Sequence, residues 1–401
     1  MNEHAQGSRI VEVAGAFLRL GSMSFGGPIA HLGYFRGELV EKRKWIDDAA
    51  YGDLVALCQF LPGPASSQVV FALGMQRAGL LGALVASACF TLPSALLMIA
   101  FAYGVSRSDL HASGWVHGLK LAAVPVVAQA VSGMGRKLCA DRARVSIGVL
   151  AAAVLLTLPG AFVQVAVIVA GALAGYGLYR ERAEPVAAGS DAQALGRPQV
   201  AAAGALALYF ALLLVLPILS ASADSRSLSL FDSFYRSGAL VFGGGHVVLP
   251  LLRAELVPKG WLSDDQFLAG YGAAQALPGP LFAFSAYLGT VVTKGSSAWL
   301  GGLLALIAIF LPAWLLIGGA LPFWHRLREK PWARAALAGA NAAVVGVLLA
   351  ALYSPVFTEA VRGPRDLAAA LLAFCLLEYW KAPPWLVVAA MAVSGAWLGA
   401  R

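Results

Sequence analysis

The sequence predicts an all-α polytopic membrane protein, made of two homologous halves arranged as an inverted repeat, with about 13 membrane segments and helices broken by Gly and Pro. Three observations support this fold class. The chain is 59% hydrophobic and only 12% charged, with a mean hydropathy of +0.75. Apolar stretches recur that are long enough for helices crossing a bilayer core of about 30 Å. One set of Gly- and Pro-containing motifs also occurs twice.

The repeat is marked by two motifs that keep nearly the same spacing in each half. FGG occurs at 25–27 and again at 242–244, and LPGP occurs at 61–64 and again at 277–280. Residues that general hydrophobicity would not align also match, namely Arg19 with Arg236, Glu38 with Glu255, Trp45 with Trp261 and Gln59 with Gln275. We therefore predict an N-terminal transport repeat at 10–180, a linker plus an extra transmembrane helix at 181–228, and a C-terminal transport repeat at 229–401.

Basic residues in the loops predict that the two halves are inverted. The loop after the fourth segment of the first half contains Arg136, Lys137, Arg142 and Arg144. In the second half the basic cluster, at 326–334, comes before the fourth segment instead. Because basic loops stay in the cytoplasm, equivalent helices should point in opposite directions. An extra helix at 200–219 between the halves would permit this inversion.

The number of crossings depends on how the broken segments are arranged. If each segment that is broken at LPGP crosses once, about 13 crossings result, with the N-terminus inside and the C-terminus outside. The two short half-helices could instead form a re-entrant hairpin.

The Gly and Pro breaks are candidate anion sites. Pro28 suits the first turn of a helix that begins at FGG, and Pro64 can start a helix after LPGP. Helix N-termini carry unpaired N–H groups and the positive end of the helix dipole, which attract anions. The alternative interpretation is a packing kink. We assign the following glycines to substrate binding: Gly26, Gly27, Gly63, Gly243, Gly244 and Gly279.

Polar side chains near the breaks could complete a site for a tetrahedral oxyanion. Arg19 and Arg236 precede FGG within apolar stretches, and guanidinium groups bind oxyanions through paired hydrogen bonds. The alternative for both is snorkelling to the membrane interface. Lys120, which the repeat replaces with Asn341, could bind substrate or pair with a carboxylate. We also assign to substrate binding Gln59, Gln275, Ser66 and Ser67.

The segments that follow FGG in each half are predicted to be interfacial loops. Asp47 and Ser263 stand where an N-cap of the next helix would lie. Arg36 with Glu38 and Arg253 with Glu255 could form gating ion pairs in these loops, and the alternative interpretation is that they are ordinary loop charges.

Composition argues against several other classes of protein. The four cysteines are scattered without a CxxC motif, so we expect no metal centre, no cofactor and no disulfide. A phosphate-binding loop of the GxxxxGKS or GxxxxGKT type is absent, which argues against transport driven by ATP hydrolysis on this chain. The N-terminus lacks the pattern of a cleaved signal peptide. The net charge of +8 lies mostly in loops, where it indicates membrane orientation rather than nucleic-acid binding.

These motifs resemble those of the chromate ion transporter family, specifically its long, two-domain bacterial members. The resemblance spans 10–400 and is carried by FGGP at 25–28, by the first LPGP, and by FGGGH at 242–246 with its own LPGP. It implies a secondary transporter that exports chromate, a tetrahedral dianion, across the bacterial inner (plasma) membrane, driven by the membrane gradient. The implied partners are chromate, with sulfate as an alternative, and the lipid bilayer, while a homodimer is left open.

Three rivals to chromate export remain at this stage. One is a structural or receptor role, which would not need the paired helix breaks. A sulfate or other oxyanion carrier belongs to the same class, and the residues alone do not distinguish it. A membrane-embedded enzyme belongs to a different class, and it would usually place clustered Asp, Glu or His within the membrane. Here the acidic residues concentrate in loops.

Overall fold

The computed structural model describes residues 3–107, 114–158, 160–180, 199–242, 245–323 and 330–398. These residues form helices joined by short connections, and no strand occurs among them. Six helices in the described ranges are long and apolar enough to cross a membrane: Ala65–Gly104, Gly114–Leu138, Phe162–Tyr179, Val200–Ser222, Ala298–Phe323 and Pro331–Ala360. The predicted class, an all-helical polytopic membrane protein, is confirmed.

The first half contains seven helices within the described ranges. Its helices are α1 (Glu3–Met23), α2 (Gly27–Phe35), α3 (Asp48–Phe60), α4 (Ala65–Arg107), α5 (Gly114–Leu138), α6 (Arg142–Thr157) and α7 (Ala161–Tyr179). A π-helical turn, Arg36–Lys42, continues α2. Helix α4 is interrupted at Ala78 and Gly79, whose backbone angles are not helical.

Helix α8 (Gln199–Ser222) separates the halves, and the second half repeats the pattern. Its helices are α9 (Arg226–Ala239), α10 (Val248–Leu256), α11 (Asp264–Gln275), α12 (Phe284–Thr293), α13 (Ala298–Ala320), α14 (Pro331–Ala351), α15 (Thr358–Ala360), α16 (Pro364–Glu378) and α17 (Pro384–Leu398). Short 3-10 turns precede α10 and α12, and a π-helical segment, Leu352–Phe357, joins α14 to α15.

Both predicted helix caps are confirmed. The Asp47 side chain accepts a hydrogen bond from the backbone N–H of Ala50 at 2.8 Å and begins α3. Ser263 begins α11 through a capping box, in which its side chain and that of Gln266 each bind the other's backbone N–H. These caps satisfy N–H groups that have no partner within the helix.

The predicted pairing of Arg36 with Glu38 and of Arg253 with Glu255 is wrong. Arg36 Nε donates instead to Asp48 Oδ1 at 2.6 Å, and Arg253 Nε donates to Asp264 Oδ1 at 2.6 Å. Residues two apart on a helix do not face each other, whereas the carboxylate in the first turn of the next helix lies across the loop. The two halves thus contain the same ion pair at equivalent positions.

The helices on either side of each LPGP break fold back on each other. Arg77, at the end of the first part of α4, lies 5.4 Å from the centre of the Trp45 ring, just before α3. Both side chains also bind Glu12 of α1, at 2.7 Å from Arg77 and 2.9 Å from Trp45. In the second half the rings of Phe267 in α11 and Phe284 in α12 lie 5.2 Å apart.

The two halves interleave in space. The final hairpin of the second half, α16 and α17, packs on α5, and the final hairpin of the first half, α6 and α7, packs on α14. Glycines allow this approach, because a Cβ at Gly118 would overlap the carbonyl oxygen of Met391, and a Cβ at Gly339 would overlap that of Gly171. The largest buried cluster accordingly combines α5 with helices of the second half.

Contacts along α4 and α5 define the directions of the neighbouring helices. The Tyr103 hydroxyl, near the end of α4, donates to the Ser296 carbonyl oxygen and accepts from the Trp299 N–H, at the start of α13. His117, near the start of α5, lies 3.2 Å from Asp366, which follows the end of the α14–α15 stretch. The end of α4 therefore lies beside the start of α13, and the start of α5 lies beside the end of α14.

Candidate functional site

Two reciprocal hydrogen bonds join the motif breaks of the two halves. The backbone N–H of Gly63 donates to the carbonyl oxygen of Val241 at 2.6 Å, and that of Gly279 donates to the carbonyl oxygen of Ser24 at 2.9 Å. Each donor lies in LPGP, and each acceptor immediately precedes FGG in the opposite half. The LPGP turn of each half thus rests against the FGG turn of the other. We call these four turns the break cluster: 24–27, 61–64, 241–242 and 277–280.

The helices that carry the break cluster approach each other closely in both halves. A Cβ at Gly21 would overlap the carbonyl oxygen of Phe90, and a Cβ at the equivalent Gly238 would overlap that of Ile309. These contacts press α1 against α4 and α9 against α13. Equivalent glycines in the two halves therefore make equivalent close contacts.

The glycines of the break cluster adopt backbone angles that other residues rarely adopt. The φ angles are +95° at Gly26, +75° at Gly27, +120° at Gly63 and +93° at Gly279. These values lie in the left-handed region, where a Cβ costs roughly 1–2 kcal/mol. Gly243 and Gly244, also predicted to bind substrate, lie outside the described residues.

Helix starts at the breaks differ between the halves. Gly26 is the N-cap of α2 with Pro28 in its first turn, as predicted, and α4 begins directly after Pro64. In the second half, 3-10 turns at 245–247 and 281–283 come before α10 and α12. The first half therefore presents two α-helical N-termini at the cluster, with the free N–H groups and positive dipole ends that such termini carry.

Buried polar side chains surround the first-half turns. Ser66, Ser67 and Gln68, which follow LPGP, are all at least 97% buried. The buried ring of His31 lies with Nε2 3.1 Å from the carbonyl oxygen of Ser24 and with Nδ1 3.4 Å from the Ser66 hydroxyl. A neutral ring that donates from Nε2 would accept from Ser66 at Nδ1, so His31 links the FGG turn to the start of α4.

Four buried donors at or beside the break cluster have no hydrogen-bond partner within the described chain. They are the hydroxyls of Ser24 and Ser67, the side-chain amide nitrogen of Gln275 and the indole nitrogen of Trp314. Trp314 belongs here because its neighbour Ala313 faces Gly63 and its ring stacks on Phe71, one turn after Ser67. Buried polar groups are rarely left without a partner, so such donors indicate a place that a polar ligand or water occupies.

The two predicted arginines occupy different surroundings. Arg236 forms ion pairs with Asp232 at 2.9 Å and with Glu255 at 2.8 Å, and Lys259 lies 3.4 Å from Glu255. Arg19 is exposed and has no hydrogen bond or ion pair with any described residue. The guanidinium charge of Arg236 is therefore already compensated, whereas that of Arg19 is available.

Sequence differences between the halves explain why Arg19 is unpaired. The position equivalent to Asp232 is Gly15, which removes one carboxylate. The other, Glu38, binds Arg43 Nε at 2.9 Å, and the second half has a glycine where Arg43 stands. The hydrogen bond from Arg43 lowers the pKa of Glu38, and the charges of Arg43, Arg19 and Lys42 lower it further.

The remaining predicted residues divide between the halves. Gln275 is partly buried, with its amide nitrogen unpaired, whereas its equivalent, Gln59, is exposed. Lys120 is 1% exposed, and its ammonium binds Asp265 Oδ1 at 2.7 Å. Of the two interpretations left open for Lys120, pairing with a carboxylate is the one observed.

Several residues of the cluster carried no decisive signal in the sequence. Ser24 directly precedes FGG and Gln68 follows LPGP, so adjacency to the motifs could have indicated both. Trp314 stands in LPAWLL, where the first half has LPSALL, and only the packing of α13 against α4 brings it to the cluster. His31 has no equivalent in the second half, where Val248 occupies the position.

The family model described as "Chromate transporter" matches two regions of the chain, 11–176 and 228–396. The chain belongs to the chromate transporter family. The two matched regions correspond to the two halves, and together they cover most of the chain.

Relatives in this family resemble the chain over nearly its whole length. It is 29% identical to the chromate transport protein of Pseudomonas aeruginosa, over 91% of this chain and 86% of the relative. It is 28% identical to the chromate transport protein of Cupriavidus metallidurans, over 94% and 90% respectively. The probable chromate transport protein of Synechococcus elongatus is 27% identical, over 94% and 93%. No solved structure matches the chain.

Proposed function

We propose that the protein is a secondary transporter that exports chromate across the bacterial inner membrane, with the anion bound at the break cluster. Membership of the chromate transporter family and the names of the relatives support this substrate. The observation that carries the site is the pair of reciprocal hydrogen bonds from Gly63 and Gly279, each of which joins an LPGP turn to the opposite half. His31 links the resulting two pairs, because it contacts both Ser24 and Ser66. In this proposal the unpaired side-chain donors and the N-termini of α2 and α4 together surround the anion.

The donors of the break cluster suit a tetrahedral oxyanion. The first turns of α2 and α4 supply backbone N–H groups, as helix N-termini do in many anion sites. The Ser24 and Ser67 hydroxyls, the Gln275 amide and the Trp314 indole supply four further donors. Hydrogen bonds to a charged acceptor are the stronger kind, contributing roughly 1.5–3 kcal/mol each.

A divalent anion also needs positive charge near its site. Each helix N-terminus contributes about half an elementary charge. Arg19 lies less than two helical turns before the FGG break and forms no ion pair with a described residue, so it supplies a further positive charge, part of which acts on Glu38. We assign Arg236 to holding α9 against α10, because its guanidinium already forms ion pairs with Asp232 of α9 and Glu255 of α10. Gly243 and Gly244 stay proposed substrate-binding residues on the strength of the repeat alone.

The membrane potential is a sufficient driving force for export. Moving one elementary charge across a potential of 100 mV changes the free energy by about 2.3 kcal/mol, so a dianion that leaves a negative interior gains about 5 kcal/mol. Export of this kind needs no ATP hydrolysis.

We infer that the two halves are inverted in the membrane. The end of α4 lies beside the start of α13, and the start of α5 lies beside the end of α14, so each pair of equivalent helices runs antiparallel. This arrangement brings the end of α5, with the basic loop 136–144, and the start of α14 to one side. That side is the cytoplasm by the positive-inside rule.

We further infer that the broken helices are re-entrant hairpins, which lowers the number of crossings from about 13 to about nine. The contacts of Trp45 with Glu12 and Arg77 place the start of α3 and the end of the first part of α4 on one side, with α1. Helices α11 and α12 fold back in the same way. Hairpins that enter from opposite faces would then meet at the break cluster, near the bilayer centre.

Chromate uptake into inside-out membrane vesicles tests the proposed function. We expect uptake that requires this protein, increases when the vesicle interior is positive, and is inhibited by excess sulfate because both anions are tetrahedral and divalent. Uptake of sulfate with no uptake of chromate would instead identify a sulfate carrier. Absence of transport of either anion by correctly inserted protein would contradict the proposal.

A further inference from the structure

A buried ion pair joins the halves away from the break cluster. The ammonium of Lys120 in α5 is 1% exposed and binds Asp265 Oδ1 at 2.7 Å, and Asp265, in the first turn of α11, is 45% exposed. Among the described residues Lys120 has no other hydrogen-bond partner. The equivalent positions are Asn341 and Ala49, which cannot form an ion pair. The pair therefore belongs to one face of the protein only.

Other charged groups nearby are already paired. Asp264 binds Arg253 at 2.6 Å, and Asp366 lies 3.2 Å from His117, one turn before Lys120 on α5. Asp265 is thus the carboxylate that compensates Lys120. Helix α11 lies tightly over α5 here, because a Cβ at Gly272 would overlap the carbonyl oxygen of Leu119. Helix α11 therefore contributes to the burial of Lys120, while α16 and α17 also pack on α5 and stay in place when α11 moves.

We propose that Lys120 is an oxyanion-binding residue on the outer side of the transport path and that Asp265 occupies it while the outer hairpin is closed. The proposal rests on the proposed function. It adds a second anion-binding position, at which the Asp265 carboxylate competes with the oxyanion for Lys120. In the closed state the Asp265 carboxylate takes the place of the oxyanion oxygens. When an oxyanion reaches Lys120, it displaces Asp265, and the hairpin formed by α11 and α12 is released.

The energetics of a buried ammonium give this exchange its direction. Breaking a buried ion pair without a replacement leaves an uncompensated charge, which is strongly unfavourable. The hairpin therefore stays closed in the absence of an anion, because opening would leave Lys120 without a counter-ion. An oxyanion supplies the missing negative charge, so opening is coupled to the presence of substrate. Asp265 can leave at lower cost, because its exposed side chain is readily hydrated.

Thiol labelling of the α11 face that packs on α5 tests this proposal. Ala269 lies one turn after Asp265 and is fully buried. The test variant carries Ala269→Cys in a protein whose four native cysteines have been changed to alanine. Purified protein in lipid nanodiscs exposes both faces to a hydrophilic thiol reagent. We expect slow labelling without anion and faster labelling with chromate. Ala273→Cys, at a 9% exposed position, provides a second probe if the first variant folds poorly.

Removing the ammonium should release the hairpin. We expect Lys120→Met to raise the labelling rate without chromate at least about tenfold, since no buried charge then opposes opening. Asn341→Met, at the equivalent position of the other half, is the matched control and should leave labelling unchanged. Unchanged labelling in Lys120→Met would overturn the proposal. Faster labelling in Lys120→Met, together with no response of the parent protein to chromate, would support the role of the Lys120–Asp265 ion pair in holding the hairpin closed. It would count against chromate as the substrate.

A charge swap distinguishes the ion pair's role in holding the hairpin closed from the role of Lys120 in binding an anion. The double variant Lys120→Asp with Asp265→Lys keeps an ion pair but places a carboxylate where the oxyanion would bind. We expect slow labelling that chromate no longer accelerates, together with loss of transport. Chromate-dependent labelling and normal transport in this variant would contradict the assignment of Lys120 as an anion-binding residue.

Discussion

The backbone N–H of Gly63 donates to the carbonyl oxygen of Val241 at 2.6 Å, which ties the LPGP turn of the first half to the FGG turn of the second. The bond between Gly279 and Ser24 repeats this relationship in the opposite direction. Because the two bonds are reciprocal, movement of either half relative to the other must change both. The break cluster is therefore well placed to couple an anion site to relative movement of the halves.

The glycines of the LPGP turns should not tolerate a side chain. We expect Gly63→Ala and Gly279→Ala to lower the free energy of unfolding by about 1–2 kcal/mol each, because both residues have φ near or above +90°. A Cβ would also lie 2.9 Å from Gln68 Nε2 or from Ser94 Oγ, respectively. Thermal unfolding of the purified variants provides the measurement. Gly15→Ala in α1, where a Cβ meets nothing, is the control and should not be destabilised.

The two equivalent glutamines should differ in their effect on transport. Gln275→Leu removes a buried, unpaired amide donor, and we expect the KM for chromate to rise about tenfold or more, as for loss of a hydrogen bond to a charged group. Gln59→Leu changes an exposed side chain and should leave the KM within about twofold. Initial rates in vesicles measure both. Equal effects of the two substitutions would remove Gln275 from the site.

The two arginines should separate into a transport role and a structural role. We expect Arg19→Ala to reduce kcat/KM for chromate without a change in thermal stability, because no described residue pairs with it. Arg236→Ala should instead reduce stability by about 1–3 kcal/mol, since it leaves the buried Asp232 and Glu255 without that partner. Parallel measurement of transport and of the unfolding temperature decides. An Arg236→Ala variant that is stable but does not transport chromate would show that Arg236 acts in anion binding rather than in stability.

Membrane topology distinguishes re-entrant hairpins from single crossings. Lys44 and Pro258 are exposed at equivalent loops of the two halves. With re-entrant hairpins, Lys44→Cys should react with an impermeant thiol reagent from the cytoplasmic side and Pro258→Cys from the outside. If each broken segment crossed once, the two sides would be exchanged. Reporter fusions at 136–144 and 326–334 should both be cytoplasmic in either case, and opposite locations would refute the inversion itself.

Local features of the fold could be predicted from the sequence because they depend on local chemistry. Caps at Asp47 and Ser263, and the helix breaks at FGG and LPGP, follow from residue types over a few positions. The interleaving of α5 with α16 and α17 could not be predicted in this way, since it depends on contacts between residues far apart in the chain. The fold-back of the broken helices depends on similar long-range contacts, such as that of Arg77 with Trp45.

The backbone breaks of the candidate site could be predicted from the sequence, whereas the pairing of its charged side chains could be predicted only in part. The repeated glycines indicated where the helices break, and the repeat indicated that there are two such places in each half. The neutralisation of Arg236 had a local signal, because Asp232 stands four residues earlier on the same helix face. The contribution of Glu255 and the unpaired state of Trp314 depend on packing between helices, which the sequence pattern does not specify.

A structure of the protein determined with bound chromate tests the central claim most directly. We predict density for one tetrahedral anion between the FGG and LPGP turns, within hydrogen-bonding distance of the Ser67 hydroxyl and the Gln275 amide, while the bonds of Gly63 and Gly279 to the opposite half remain or change together. Chromate bound elsewhere, with the break cluster unoccupied at saturating anion and its buried donors still unpaired, would contradict the assignment of the transport site.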